Sequence, residues 1–171
     1  MDATNIRTTL ERVADEFREP CGKYTGALTI EVIRRELEKA GVAVSARDVF
    51  IRGVPVEIDL IIAEKGAKAR YGIEYDPKDV LAAIEVKRAG SWGATTIRAI
   101  KRSFTLIRKS NHRIRCCYVT VQESKSYGGA VTKRNSGGDV YTLRWWCGSS
   151  KGSRSHGDWE RFLQQMKRLR G

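Results

Sequence analysis

Asp59, Glu85 and Lys87 are charged residues set inside apolar runs, and their types and spacing suggest chemistry. Asp59 lies in Val54-Pro55-Val56-Glu57-Ile58-Asp59-Leu60-Ile61-Ile62, and the other two in Ala82-Ala83-Ile84-Glu85-Val86-Lys87-Arg88. Both runs have the length and β-branched composition of strands. Side chains two positions apart on a strand point the same way, so Glu85 and Lys87 share a face. A carboxylate in apolar surroundings is costly unless something pairs with it, and a metal ion is one such partner. An Asp on one strand and a Glu-x-Lys on another therefore suggest a divalent-metal site acting on phosphodiesters.

Phosphodiester hydrolysis needs charge neutralised at the phosphate, an activated water, and help for the departing oxygen. Mg²⁺ takes oxygen ligands and keeps several waters, so two or three carboxylates suffice as protein ligands. Asp59 and Glu85 are the candidates, with the backbone carbonyl of Val86 as a further oxygen. Mn²⁺ is a plausible substitute. Lys87 would orient or deprotonate the attacking water, or stabilise charge on the phosphorane; as a base it would first have to lose its proton. Glu57 shares the face of Asp59 and reads more readily as a surface charge at the strand entrance.

The surrounding pattern supplies elements to position these groups. A first helix is expected over about 5–19, with Ile6, Leu10, Val13 and Phe17 on one stripe and Pro20 as its stop. A second runs from about Ala27 to Ala40, with Ile30, Ile33 and Leu37 inward and Gly41 ending it. Strands are expected at about 48–53 and 55–64, then a loop over 65–79 with room for a short hairpin. In the strand at 80–88, Val80, Ala82, Ile84 and Val86 are assigned to one face and Leu81, Ala83, Glu85 and Lys87 to the other. Apolar on both faces for most of its length, this strand should be central in a sheet. A helix at about 94–110 buries Ile97, Ile100, Phe104 and Ile107, and a strand at 113–122 completes a β-α-β unit. Basic, Ser/Gly-rich loops at 124–138 and 148–157 flank a strand at about 139–147. Asp158 is placed to cap a last helix carrying Trp159, Phe162, Met166 and Leu169. The fold class is α/β, a mixed central β-sheet flanked by helices, in one domain over 1–171.

The chain of 171 residues carries a net charge of +12, which favours a polyanionic partner. Arg98, Lys101, Arg102, Arg108 and Lys109 form the exposed face of the 94–110 helix, facing nucleic-acid phosphates. Ser91 and Trp92, at that helix's entrance, would add a hydroxyl and helix-terminal amides. No apolar run reaches the ~20 residues of a membrane helix, and no signal-peptide core is visible at the start, so no membrane partner is expected. Cys21, Cys116, Cys117 and Cys147 include no C-x-x-C, and only His112 and His156 accompany them, so zinc is not expected. Reduced thiols in the cytoplasm are the plain reading. Trp145 and Trp146 alternate on their strand, which leaves one for a contact between two copies in a homodimer. No nucleotide cofactor is called for.

Glu57-Ile58-Asp59-Leu60-Ile61 followed by Ile84-Glu85-Val86-Lys87 resembles the motif of the PD-(D/E)XK nuclease superfamily, and is similar to its Holliday-junction-resolvase-like and related branches. The resemblance implies a restriction-endonuclease-like core, αβββαβ, which fits about 27–122, with an added N-terminal helix and a strand-helix extension at about 123–171. It also implies a third acidic ligand from the first core helix, matched to Glu31, with Glu36 a weaker substitute. Two departures stand out. Ile58 occupies the position of the usual proline, and the interval from Asp59 to Glu85 is longer than in compact members. The following helix lacks Gln-x-x-x-Tyr, which argues against the RecB-like branch. The implied activity is that of a Mg²⁺-dependent endonuclease on DNA, of restriction-like, junction-resolving or repair type. The alternatives are a non-catalytic or RNA-directed nucleic-acid-binding protein on the same fold.

Overall fold

Pleat alternation along two central strands divides the apolar residues between two cores, one on each face of a mixed sheet. The computed structural model describes residues 22–89, 94–122, 133–143 and 158–169. The helix expected at 5–19 and the residues Ser91, Trp92, Trp145 and Trp146 lie outside them. Helix α1 spans Gly22–Lys39 and is followed by β1 (Phe50–Ile51), β2 (Leu60–Ala63) and β3 (Glu74–Tyr75). A 3₁₀ turn at Pro77–Asp79 leads into β4 (Val80–Ala89), then α2 (Ala94–Ser110) and β5 (Arg115–Gln122). A one-turn helix α3 (Lys133–Ser136), β6 (Asp139–Thr142) and α4 (Trp159–Arg168) complete the described order.

The main sheet has the order β2-β4-β5-β6, with β2 antiparallel to β4 and the rest parallel. As expected of a strand apolar on both faces, β4 is central. The strands expected at 48–53 and 55–64 are shorter: β1 keeps two residues and pairs parallel with β3 in a separate small sheet. Gly53, at φ +78°, turns the chain between them in a conformation that favours glycine.

On one face, Ile30, Ile33 and Leu37 of α1 and Trp159, Phe162 and Met166 of α4 cover Leu60, Ile62, Ala82, Ile84 and Val86. On the other, Ile100, Phe104 and Ile107 of α2 cover Ile61, Ala83, Cys116 and Tyr118, with Val49, Ile51 and Ile58 alongside. Each Ile, Leu, Val, Phe or Met side chain among these contributes roughly 1.5–3 kcal/mol on leaving water. The register shifts between Ile62 and Ala63, so Ala63 pairs with Val80 and Leu81 is skipped. That bulge moves Val80 to the α2 face and Leu81 to the α1 face, reversing their expected sides while leaving Ala82, Ile84 and Val86 together.

The two ladders of β4 differ in length. Its pairing with β2 ends at Leu60↔Ile84, whereas its pairing with β5 continues to Ala89↔Gln122. Close packing elsewhere is strict: a Cβ on Gly138 would lie 2.5 Å from Phe104 Cε2 and 2.7 Å from the Cys116 carbonyl oxygen. A glycine there lets the turn after α3 seat against α2. Asp158 precedes α4 without a side-chain cap bond; its Oδ2 instead accepts from the Thr142 amide at 3.0 Å. The expected cap is thus spent on holding α4 to β6.

Candidate active site

Asp59 stands immediately before β2, and the antiparallel register Leu60↔Ile84 sets it across from Glu85. The Val86 amide donates to Asp59 Oδ2 at 2.6 Å, which fixes that carboxylate against β4. Lys87, two residues beyond Glu85 and on the same face, reaches both acids. Its Nζ lies 2.5 Å from Glu85 Oε1 and 3.8 Å from Asp59 Oδ2. The side chains of Asp59, Glu85 and Lys87 retain 16%, 23% and 36% of their exposure. The three expected groups therefore converge, half-buried, at the point where β2 leaves β4.

Burial, and then the neighbouring Glu85 charge, push the Asp59 pKa up to about 7, against the opposing pull of Lys87 and the Val86 amide. Burial works against the Lys87 ammonium, but Glu85 and Asp59 outweigh it and raise its pKa. Lys87 is thus a cation here, suited to stabilising negative charge or orienting a water. The site holds more carboxylate than one ammonium neutralises comfortably, and that excess favours either a proton on Asp59 or a further cation.

Tyr118 lies beside Glu85 in the parallel β4–β5 register. Burial, and then the charges of Glu85 and Asp59, hold its phenol well above the usual range, in the neutral form. Asp48 is also close enough for its charge to add to the rise at Asp59. Neither residue stood out from the sequence. Pairing β5 with β4 strand by strand would have brought Tyr118 into view, whereas the placement of Asp48 depends on one extra residue between the bridges Val44↔Ile62 and Val49↔Ile58, which local pattern does not announce.

Glu31 is engaged elsewhere. Its oxygens accept from Arg34 Nε at 2.8 Å and Arg35 Nε at 2.7 Å, and Arg47 Nε approaches at 3.9 Å. The Arg34 hydrogen bond lowers its pKa to about 2 against a modest burial effect, with Arg35 assisting. Glu36 is buried and pairs with Lys39 at 2.8 Å. Both belong to α1, whose apolar stripe packs on the sheet face opposite Glu85 and Lys87. Among the described residues, no hydrogen bond or ion pair joins either to Asp59, Glu85 or Lys87.

Arg98, Lys101, Arg102, Arg108 and Lys109 are all exposed on α2, as expected. Arg98 Nη2 donates to Thr95 Oγ1 at 3.5 Å, and none of the five forms an ion pair with a described residue. No Asp or Glu occurs between Glu85 and Glu123, so this stretch has no acidic residue of its own to offset them.

The Asp59 and Glu85 carboxylates are hard-oxygen donors of the kind that Mg²⁺ or Mn²⁺ takes. Among the described residues, no three acidic, histidine or cysteine side chains are gathered closely enough to hold an ion alone. Waters would complete the shell. No described helix is long and apolar enough to cross a membrane.

No family model matches the sequence, and no curated protein matches it significantly. Solved structures do. NucC of P. aeruginosa ATCC27853 in a cAAA-bound form is 10% identical, the match covering 98% of this chain and 88% of that one at a TM-score of 0.64. NucC of E. coli MS115-1 in a cAAA-bound form is 14% identical, covering 98% and 87% at 0.65. The apo form of the E. coli protein is 15% identical, covering 96% and 91% at 0.55. The fold is therefore restriction-endonuclease-like, and at the level of fold the resemblance to PD-(D/E)XK proteins is borne out.

Proposed function

We propose that a chain with this fold and this trio of residues is a divalent-metal-dependent nuclease, with DNA as its substrate. The observation that carries the reading is the convergence of Asp59, Glu85 and Lys87 where the β2 ladder ends. In this reading Asp59, Glu85 and the Val86 carbonyl hold Mg²⁺. The bound ion supplies charge neutralisation at the phosphate and a more acidic water.

The remaining work falls to the protein. Lys87, kept protonated by two carboxylates, stabilises negative charge on the phosphorane and orients the attacking water. Arg98, Lys101, Arg102, Arg108 and Lys109 bind the polyanion, with Ser91 and Trp92 proposed at the same entrance. Among the described residues these α2 cations form no ion pair, which supports that role by leaving their charge to a phosphate backbone. Two of the similar NucC structures are cAAA-bound forms.

The test is cleavage of duplex, branched and single-stranded DNA and of RNA, with Mg²⁺ and with chelator, by wild type, Glu85→Ala and Lys87→Ala. Mg²⁺-dependent cuts absent from both variants support the reading. Cleavage indifferent to metal, or binding to all substrates without cleavage, excludes it. Preferential cleavage of RNA would move the substrate assignment and keep the chemistry.

A further inference from the structure

We infer that the seam between α2 and α3 is a second phosphate-backbone contact, built from Lys101, Arg108, Lys133 and Arg134 and set about four nucleotides from the bond that is cut. The inference rests on the nuclease reading above and gives α3 a role which that reading does not assign. All four side chains are exposed. Lys101 and Arg108 belong to the α2 stripe opposite Ile100, Phe104 and Ile107, because residues spaced by three, four and seven share a helix face. The turn after α3 brings the second pair alongside. A Cβ built on Gly137 would lie 3.7 Å from Arg108 Nη1 and 3.9 Å from Lys101 Cγ, and Gly138 beside it is seated on Phe104.

Charge on this seam is poorly balanced. Asp139 Oδ1 pairs with Lys133 Nζ at 2.8 Å, and the same carboxylate's Oδ2 lies 3.6 Å from Arg115 Nη1. Lys101, Arg108 and Arg134 form no ion pair with a described residue. Glu123 is the sole acid in the sequence between Glu85 and Asp139. Cations gathered with so few acids repel one another, and a polyanion that sheds its counterions onto them relieves the repulsion. Being spread over an exposed surface of two elements, they suit an extended polyanion better than one small anion, which a solvated cation holds weakly.

Strand register separates the seam from Asp59, Glu85 and Lys87. Asp139 is level with Cys117, and Cys117 with Ile84, three residues before Lys87. The offset is roughly 10 Å across the sheet and roughly 10 Å back along the strands. Nucleic acid advances about 3.4 Å per nucleotide, so one molecule reaches both places with about four nucleotides between them. Helix α2 starts just beyond the end of β4, on the side of the sheet that Lys87 occupies, and its cations continue from there to the seam. That continuity favours the nucleic acid held at the candidate site over a membrane surface.

The test uses the full chain in chelator and a labelled DNA duplex or RNA, with binding followed by anisotropy over a range of salt. Lys133→Gln/Arg134→Gln removes the charge on α3, and Lys133→Arg/Arg134→Lys keeps it. The expected result is weaker binding by the first variant on every sequence, with the slope of log K against log[salt] shallower by about two, and wild-type behaviour in the second. Wild-type affinity and slope in the first variant overturn the inference. An equal loss in both variants also overturns it, because the positions would then matter for shape and not for charge. Unchanged nucleic-acid binding with lost binding to phosphatidylserine vesicles would hand the surface to a membrane. If wild type binds neither DNA nor RNA, the nuclease reading itself fails, a result read before any variant is compared.

Discussion

Lys87 Nζ lies 2.5 Å from Glu85 Oε1, so this ammonium is committed chiefly to one of the two acids it reaches. Asp59, 3.8 Å away, receives less of that charge, and burial, followed by the Glu85 charge, pushes its carboxyl up to about 7. An Asp and a Glu in one site thus face different electrostatic demands.

The metal-free protein should lose stability as pH rises from about 4 to about 7. The ordinary pKa of Asp59 is 3.8 and the folded value is about 7, so within that window the folded state binds more protons than the unfolded one. Stability falls with pH wherever the folded state is the better proton acceptor. Urea unfolding at pH 5 and pH 8 in chelator checks the slope. Asp59→Asn, which keeps an acceptor for the Val86 amide, should flatten it and raise the melting temperature at pH 8 by about 2–4 °C.

Lys87→Ala should reduce Mg²⁺-dependent cleavage by about 10²–10³-fold, the usual cost of losing one charge-stabilising group. Single-turnover rates, with substrate binding measured separately, distinguish this from weaker binding. An unchanged single-turnover rate would remove Lys87 from the chemistry.

Glu31→Gln separates two roles for that carboxylate. Loss of its ion pairs with Arg34 and Arg35 should destabilise the fold by about 0.5–1 kcal/mol, read from urea unfolding. Its lowered pKa, about 2, means that stability from this group is present above the ordinary value of 4.5 and is lost as pH falls from there toward 2. Unchanged Mn²⁺ binding assigns it to the helix network. Weakened binding returns it to the ligand set.

Gly138→Ala should destabilise by about 1–3 kcal/mol, because the new methyl would meet the Phe104 ring and the Cys116 carbonyl at 2.5 and 2.7 Å. Equilibrium unfolding gives the value. A neutral result would show that the turn after α3 can lift from α2.

Replacing Arg98, Lys101 and Arg102 by Gln should weaken nucleic-acid binding across all sequences. The slope of log K against log[salt] should become shallower by about one for each phosphate that the variant no longer neutralises. An unchanged slope would assign these cations to solvent.

Periodicity made much of this architecture legible. The α2 stripe of Ile100, Phe104 and Ile107 and the central position of β4 follow from spacing and from apolar content on both faces. So does the meeting of Asp59 with Glu85 and Lys87, once the strands are paired. What escaped depends on register. The bulge at Ile62/Ala63 inverts Val80 and Leu81, and one extra residue between the bridges Val44↔Ile62 and Val49↔Ile58 brings Asp48 to Asp59. One inserted residue changes every neighbour beyond it while leaving local composition untouched. The cap assigned to Asp158 failed for a related reason: a long-range amide, that of Thr142, competes with the helix's own.

The unequal ladders of β4 have one further consequence. Among the described residues, β4 beyond Ile84 has β5 alone as its strand partner, and the rung at Val86 is closed by an aspartate side chain. The sheet therefore forks without leaving that amide orphaned, and the same carboxylate that closes the rung faces the opening. Architecture and the proposed chemistry share one atom group there. Asp59→Ala should accordingly unzip the seam as well as silence it, while Asp59→Asn silences it alone.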